Sequence, residues 1–317
     1  MGKTGVISFK VSEETKQMMM DELAWCMRPT TPAYAVFQAK DGDTVITLYE
    51  SGKVVFQGKD ADLASDFWIE TEKMHNKNLE VKNSENKSKD KLDKAIYIDP
   101  KIYNSSSIGS DEVGTGDFFG PIVVTAAYVR KDQISMIEDM GVKDSKKLTD
   151  EKILAIVPKL VKEIEYSSIV LSDKEYNERY SMGNNMNKLK AILHNKVLMQ
   201  MKMKNLEYDY IVVDEFAKQF VYYNYLKDSN NVVRNITFLT KGEDKCLSVA
   251  CASIISRYLF IKEMDKMSKE LGINIPKGAS AAVDDVAKEI VKKFGYEKLH
   301  EIAKMNFKNA EKIRSSI

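Results

Sequence analysis

The feature that most constrains the fold of this chain is the segment 108–121, which reads IGSDEVGTGDFFGP. An apolar strand ends there in two adjacent carboxylates, Asp111 and Glu112. A glycine-rich turn then leads into a second strand, 122–129, that is almost continuously apolar. A strand without polar alternation is typical of a sheet covered on both faces. The segment therefore predicts the centre of a sheet, with a pair of acidic side chains beside it.

The glycines of this segment do not match a known nucleotide-binding loop. Gly114, Gly116 and Gly120 lack the spacing of the dinucleotide fingerprint, and the turn leads into a strand rather than a helix. Glycine does let a backbone approach a ligand closely, with amide donors available for a phosphate or a ribose hydroxyl.

The acid pair is interpreted as part of a metal site. Ionised carboxylates at the edge of a core need partners, and the segment contains no histidine or cysteine to act as a base or nucleophile. Hard oxygen ligands suit Mg²⁺ or Mn²⁺. We therefore expect Asp111 and Glu112 to coordinate a divalent cation.

Strands and helices alternate from residue 105 to residue 317. The predicted strands are 107–112, 122–129, 166–171, 210–213 and 235–239, and the predicted helices are 185–205, 245–267, 283–294 and 296–314. This order predicts an α/β domain with a mixed sheet and helices on both faces. Asp214 follows a short buried strand, at the position where α/β sheets place ligands.

Residues 1–80 are predicted to form a separate small α+β domain. Its predicted strands are 5–11, 34–39, 44–49 and 53–57. Ser12 is expected to cap a helix that runs to about residue 27, and Asp60 a second helix, leaving one sheet face open. Residues 81–104 begin with the polar stretch VKNSENKSKDKLD and are predicted to be a linker.

The composition is that of a globular protein, because 44% of the 317 residues are hydrophobic and 30% are charged. Lys and Arg (48) nearly balance Asp and Glu (47), so any attraction to phosphate has to come from local patches. Three cysteines without a CxxC pair argue against a zinc site and fit a reducing compartment. No stretch resembles a signal peptide, membrane span or coiled coil. We therefore expect a cytoplasmic monomer.

The segment 108–121 closely resembles the first motif of the type 2 ribonucleases H, and its Gly-Thr-Gly form is similar to the ribonuclease HIII branch. Six further motifs follow in the order that the family has: DSKKL (144–148), NMNKLK with HN (185–195), VVDEFA (212–217), TKGE (240–243), ACASIISRY (250–258) and PKGAS (276–280). Together they span nearly all of 105–317 and are highly specific. The resemblance implies a ribonuclease H-like fold.

The resemblance implies four catalytic, metal-binding carboxylates: Asp111, Glu112, Asp214 and Glu243. Glu243 departs from the aspartate of the ribonuclease HII branch but is similar to the HIII pattern, with Asp244 as its nearest competitor. Asp117 is expected to cap the turn. Two divalent ions about 4 Å apart would activate a water and stabilise the leaving 3′ oxygen. Without cations, such a cluster would repel itself and raise its own pKa values.

The resemblance also implies a set of substrate-binding residues: Gly114, Thr115, Gly116, Ser145, Lys146, Lys147, Lys188 and Lys277. The backbone of the three loop residues would recognise the 2′-hydroxyl that distinguishes RNA from DNA. The other residues would contact phosphates, unless they belong to an ordinary solvated face. Lys190 is expected to act like Lys188, and His194 is either functional or an inert, hydrogen-bonded imidazole.

The implied activity is hydrolysis of the RNA strand of RNA/DNA hybrids, leaving 5′-phosphate and 3′-hydroxyl ends. We place no equivalent of the tyrosine that helps the HII branch cut at a single ribonucleotide, so cleavage within RNA runs is expected. The alternatives are a catalytically silent hybrid-binding protein and a metal-dependent nuclease of another duplex. The presence of all four carboxylates argues against the first alternative, and the DSKKL and PKGAS motifs argue against the second.

The N-terminal domain resembles the TATA-binding-protein-like domain that precedes the catalytic domain in ribonuclease HIII. The resemblance rests on position and strand order, and the hypothesis is that the open sheet face helps to hold the hybrid. Its charge would come from four lysines, Lys10, Lys40, Lys53 and Lys59. Its apolar surface would come from Phe37, Tyr49 or Phe56, unless these aromatic residues belong to the core.

Overall fold

The computed structural model describes residues 5–41, 43–58, 61–76, 79–84, 99–142 and 147–316. The chain divides into two compact units, one of Met1–Lys94 with Phe216–Val221 and the other of Ala95–Glu215 with Tyr222–Ile317. None of the helices found in the described residues has both the length and the apolar character that crossing a membrane requires.

The first unit contains a five-stranded antiparallel sheet. Its strands are β1 (Gly5–Lys10), β2 (Ala35–Asp41), β3 (Thr44–Tyr49), β4 (Lys53–Gly58) and β5 (Lys82–Ser84), in the order β2-β3-β4-β1-β5. Helix α2 (Ala61–His75) packs against β1, β3 and β4, and α1 (Glu13–Glu22) packs against α2. Side chains alternate along the strands, so that Ile7 and Phe9 are buried while Lys10 is exposed.

The four predicted strands of this unit are confirmed, and so is the Ser12 cap, whose Oγ accepts a hydrogen bond from the Thr15 N–H. The predicted extent of the first helix is wrong, because the helix ends at Glu22. The chain then forms a 3₁₀ turn at Ala24–Cys26, and Met27 pairs with Ala39 at the edge of β2. Strand β5 was not predicted. Lys59, Asp60 and residues 85–98 lie outside the described residues.

The second unit contains a mixed sheet, as predicted. Its strands are β6 (Ser107–Val113), β7 (Ile122–Val129), β8 (Tyr166–Leu171), β9 (Tyr210–Asp214) and β10 (Ile236–Leu239), in the order β10-β9-β6-β7-β8. Strands β9 and β10 run parallel to β6, whereas β7 is antiparallel to both of its neighbours, β6 and β8. Every residue of β7 is buried, which confirms its predicted place inside the sheet.

The remaining helices are α3 (Pro100–Tyr103), α4 (Ile134–Asp139), α5 (Asp150–Leu160), α6 (Asp173–Ser181), α7 (Met186–Lys202), α8 (Gln219–Tyr225), α9 (Leu247–Leu271), α10 (Ala281–Phe294), α11 (Glu297–Ile302) and α12 (Lys308–Arg314). Helices α7 and α9 both pack on β6 and β7. A Cβ on Gly109 would lie 2.3 Å from the backbone nitrogen of Val249, so α9 approaches β6 more closely than a side chain allows. The next residue, Ser110, contacts His194 of α7 on the opposite face.

The prediction of one helix over 296–314 is wrong. Helices α11 and α12 are separated by a segment in which Ala303 pairs with Phe119 and the Lys304 N–H donates to the Phe118 carbonyl over 2.8 Å. The Lys304 side chain is fully buried, and its Nζ donates to the carbonyl oxygens of Asp117 and Gly120. The same nitrogen lies 3.4 Å from Asp173 Oδ1. A continuous helix could not make these contacts with the glycine-rich loop.

Burial raises the pKa of the Asp173 carboxyl to about 6, against the lowering effect of Lys304. We predict that Lys304→Met lowers the free energy of unfolding by about 3–5 kcal/mol, because it leaves a buried carboxylate without its counter-charge. The deficit should shrink as the pH is lowered towards about 6, because Asp173 without Lys304 has a pKa above about 6 and the folded variant takes up the proton before the unmodified protein does.

Urea unfolding followed by far-ultraviolet circular dichroism measures this, since both tryptophans, Trp25 and Trp68, lie in the first unit. The matched control is Lys304→Met combined with Asp173→Asn, which should recover part of the loss. A double variant as unstable as the single one would show that the ion pair is not the cause.

Candidate metal and nucleic-acid site

The register of β6 and β9 places two of the predicted carboxylates side by side. Ser110 pairs with Val213 in a parallel ladder, so the residues that follow, Asp111 and Asp214, are neighbours where the two strands leave the core. In this arrangement Glu112, the next residue of β6, lies at the same edge of the sheet.

Glu243 reaches this edge through a tight turn after β10. Leu239 pairs with Asp214, and Lys241 adopts a left-handed conformation with a φ of 55° before the 3₁₀ turn Gly242–Asp244. The Gly242 N–H donates to Asp214 Oδ1 over 2.6 Å. Glu243 is buried in this turn, whereas its competitor Asp244 is half-buried.

The environment of Asp111 strongly disfavours its charge. Burial raises the pKa of this carboxyl well above its ordinary value, and the nearby charges of Glu112 and Asp214 raise it further. A hydrogen bond from the Ser253 side chain and one of 2.7 Å from the Glu112 N–H act in the opposite direction. These contacts hold the Asp111 side chain between β6 and α9.

Glu112 is stabilised as a carboxylate by helix α7. Burial alone would raise its pKa, but Lys190 and His194 outweigh burial and lower the pKa to about 2. Lys190 Nζ lies 3.0 Å from Oε1, and His194 Nε2 lies 2.9 Å from Oε2. Ser110 Oγ lies 2.8 Å from His194 Nδ1. The expectation that Lys190 contacts phosphate like Lys188 is therefore wrong in this structure, because its ammonium group faces an acid.

The four carboxylates have the chemistry that Mg²⁺ or Mn²⁺ requires, namely hard, anionic oxygen donors. Because burial and the neighbouring acids raise the pKa of Asp111, a positive charge nearby would stabilise its ionised form. Within the described residues, however, no three His, Cys, Asp or Glu side chains are arranged to hold an ion. The contacts already made explain this, since both Glu112 oxygens face α7 and Asp214 Oδ1 faces Gly242. Ligation requires these side chains to exchange or share their protein donors.

The glycine-rich loop beside the acids is rigidly held. Gly114 has a φ of +91°, and a Cβ there would lie 2.0 Å from the Pro121 carbonyl oxygen, so no other residue fits. Thr115 is half-buried, and Gly116 is exposed with open space beside its Cα. Asp117 Oδ1 accepts a hydrogen bond of 2.6 Å from the Gly278 N–H, so it braces the loop rather than joining the acids.

The predicted phosphate-binding residues lie in different surroundings. Lys147 is exposed, Lys188 is half-buried on the first turn of α7, and Lys277 is exposed with its Nζ hydrogen-bonded to Asp150. Ser145 and Lys146 lie outside the described residues.

The sequence analysis missed the hydroxyl residues that hydrogen-bond to the acids or to their partners. Ser256 Oγ donates to Thr125 Oγ1 over 2.9 Å and lies 3.3 Å from the Asp111 carbonyl oxygen. Ser253 is one turn earlier on α9, and Ser110 supports His194 from β6. Small hydroxyl residues inside an otherwise apolar helix or strand were the available signal.

Comparisons with known proteins assign both parts of the chain. A family model described as ribonuclease HII matches residues 108–310, and one described as a domain of unknown function (DUF3378) matches residues 6–80. A ribonuclease HIII from Bacillus cereus (strain AH187) is 42% identical over 306 residues, which cover 95% of this chain and 94% of the relative.

Solved structures agree with these matches. The crystal structure of Bst-RNase HIII in complex with Mn²⁺ has a TM-score of 0.67 and 36% identity, and covers 98% of both chains. The structure of Aquifex aeolicus RNase H3 has a TM-score of 0.53 and 22% identity over 94% of this chain and 99% of that chain, so it supports the fold alone.

We predict that Asp214→Asn raises the free energy of unfolding in EDTA by on the order of 1 kcal/mol. The variant removes a charge that repels Asp111, while the asparagine Oδ1 still accepts from the Gly242 N–H. Thermal and urea unfolding measure the change.

The matched control is Glu215→Gln, which removes one negative charge from the next residue, where Oε2 accepts a hydrogen bond from Thr240. The free energy of unfolding of this control should not rise. A loss of stability in both variants would mean that Asp111 and Asp214 do not repel each other.

Proposed function

The chain belongs to the ribonuclease HIII family, and we propose that the carboxylates at the ends of β6 and β9 hydrolyse the RNA strand of RNA/DNA hybrids. It is a metal-dependent ribonuclease H. The observation that best supports the proposed site is the parallel register of β6 and β9, which makes Asp111 and Asp214 neighbours. Glu112 and Glu243 complete the proposed set of four.

These carboxylates would hold two Mg²⁺ or Mn²⁺ ions, which supply an activated water and stabilise the leaving 3′ oxygen. The chain's own residues position the acids: Ser253 donates to Asp111, the Gly242 N–H donates to Asp214, and α7 donates to Glu112. Attack on the scissile phosphate from the side opposite the 3′ oxygen leaves a 5′-phosphate and a 3′-hydroxyl.

We propose that the loop Gly114–Thr115–Gly116 recognises the ribose 2′-hydroxyl through its backbone. Gly116 is exposed and leaves open space beside its Cα, so a sugar can approach the chain closely. Asp117 and Lys304 brace the far end of the loop. Ser145, Lys146, Lys147, Lys188 and Lys277 remain the proposed phosphate contacts.

The activity test is cleavage of a labelled RNA/DNA hybrid with Mg²⁺ or Mn²⁺, beside RNA/RNA and DNA/DNA duplexes. We predict cleavage of the hybrid alone, and a loss of about a thousandfold or more in Asp111→Asn with hybrid affinity retained. Equal cleavage of all duplexes would contradict the substrate assignment. Binding without cleavage by the unmodified chain would point to a silent hybrid-binding protein.

The assignment of the fourth carboxylate has its own matched pair of variants. Glu243→Gln should lose activity as severely as Asp111→Asn, because it removes a buried ligand oxygen. Asp244→Asn changes the adjacent residue by the same charge and should stay within about threefold of the unmodified enzyme. The reverse ranking would assign the ligand to Asp244.

We further propose that residues 1–80 form a substrate-binding domain and residues 105–317 the catalytic domain. The linker expected at 81–104 is interrupted by β5 (Lys82–Ser84), which belongs to the first sheet, and by α3 (Pro100–Tyr103). The open sheet face of the first domain carries exposed Lys10, Lys40 and Lys53. Phe37 and Phe56 are buried on the other face, so the expectation that they supply an apolar contact surface is wrong, and Tyr49 is half-buried. The face is therefore suited to phosphate contacts rather than to base stacking.

Lys10 and Lys53 pair across β1 and β4, which allows a double charge reversal on this face. We predict that Lys10→Glu with Lys53→Glu weakens hybrid binding and lowers the slope of log affinity against log salt by about 2, one unit for each lost phosphate contact. The matched control is Lys16→Glu with Lys73→Glu, which reverses the charge of one lysine on α1 and one on α2. Fluorescence anisotropy measures the binding of both double variants. An equal effect in the two would mean that the net charge of the domain, and not this sheet face, accounts for the loss of binding.

We also propose that the enzyme works as a monomer in the cytoplasm. The three cysteines are free, which suits a reducing compartment. Sedimentation with and without hybrid would test the monomer.

A further inference from the structure

Lys190 is a lysine in an unusual position. It is buried on α7, with 10% of its side chain exposed, and its Nζ lies 3.0 Å from Glu112 Oε1. Lysine is almost never buried unless it is paired. The partner here is one of the four proposed metal ligands, so the positive charge lies inside the acidic site rather than on the nucleic-acid surface.

The second oxygen of Glu112 is also engaged by α7. His194 Nε2 lies 2.9 Å from Oε2, and because a carboxylate can only accept, this nitrogen carries the proton. In the neutral imidazole, Nδ1 then accepts from the Ser110 hydroxyl 2.8 Å away. Lys190 and His194 are four residues apart on one helical face, so a single turn of α7 holds both oxygens.

Helix α7 cannot easily withdraw from the site. Leu189, Leu193 and Val197 are buried on it, and Asn195 donates to the Asn231 carbonyl over 2.8 Å and accepts from the Val233 N–H over 2.9 Å. A change at Glu112 must therefore come from side-chain rotation. Of the two side chains of α7 that contact Glu112, Lys190 is the longer and more flexible, whereas the imidazole of His194 is fully buried.

We propose that Lys190 is a built-in counter-ion of the acidic site, which neutralises Glu112 until a divalent cation binds and competes with that cation for the same carboxylate. The inference rests on the proposed role of the four carboxylates as metal ligands. Lys190 is thus a positioning residue that sets the metal affinity of the enzyme. It stabilises the folded chain before the metal arrives and weakens the binding of the metal.

The magnitude follows from Coulomb's law. A unit positive charge about 5 Å from a divalent cation, even at the dielectric constant of water, changes the metal affinity by about tenfold. In the partly buried site the effect is larger, since the effective dielectric constant is lower. Loss of Lys190 also removes a positive charge that stabilises Glu112, whose own charge acts together with that of Asp214 against ionisation of Asp111.

The experiment uses the full-length protein without nucleic acid and measures two quantities. Calorimetric titration with Mn²⁺ and Mg²⁺ gives the affinity, and thermal unfolding in EDTA and in saturating Mn²⁺ gives the stability. The variants are Lys190→Met, Lys190→Arg and Asp111→Asn, with Lys196→Met as the matched control, because Lys196 is an exposed lysine of the same helix.

Lys190→Met should bind Mn²⁺ at least about tenfold more tightly than the unmodified protein while unfolding at a lower temperature in EDTA. Saturating Mn²⁺ should narrow or reverse the difference in unfolding temperature. Lys190→Arg, which keeps the charge, and Lys196→Met should resemble the unmodified protein in both measurements. If Lys190→Met fails to fold, Lys190→Gln removes the same charge while keeping a hydrogen-bond donor.

Unchanged or weaker Mn²⁺ binding in Lys190→Met would overturn the inference, and so would a loss of stability that is equal with and without Mn²⁺, which indicates a packing role. Neither result would touch the proposed function. That proposal fails separately if the unmodified protein and Asp111→Asn take up Mn²⁺ identically, because the carboxylates would then not be ligands.

Discussion

Repulsion between buried carboxylates is the interaction on which the arrangement of this site depends. The parallel ladder of β6 and β9 forces Asp111 and Asp214 together, and Glu112 follows directly on the same strand. Each neighbouring contact can be understood as a response to that repulsion. A serine hydroxyl of α9, a backbone N–H of the turn after β10 and an ammonium group of α7 all direct positive charge or a dipole at the acids.

The same repulsion explains why the site is built from elements far apart in sequence. One strand supplies two acids at fixed spacing, but a strand cannot supply their compensation, because its successive side chains point to opposite faces. Helices α7 and α9, packed on the two faces of β6, supply donors from both directions. Gly109 is what lets α9 approach closely enough to take part.

The sequence predicted strands better than the directions of side chains. Strands 122–129 and 166–171 both have the bounds that the sequence predicted, although every residue of the first is buried and only Leu171 of the second is. Lys190 was assigned to the phosphate surface because helical periodicity does not reveal which polar residue of a buried helix has an acid opposite. The break at Ala303 was missed for a similar reason. Its cause is a long-range pairing with Phe119, which no local preference encodes. Phe37 and Phe56 could be placed on the buried face only once the register of the first sheet was known.

The Lys304 anchor has a consequence for the order in which the protein matures during synthesis. The glycine-rich loop near residue 115 is held by Gly278, Ile302 and Lys304, all of which leave the ribosome much later than the loop itself. The strands of the first unit can pair as soon as they emerge, since domains near the N-terminus fold first during translation. The loop, in contrast, has to wait until residues 278–304 have been made. A nascent or prematurely terminated polypeptide would carry every acidic residue of the site and still lack the support that shapes the loop beside them.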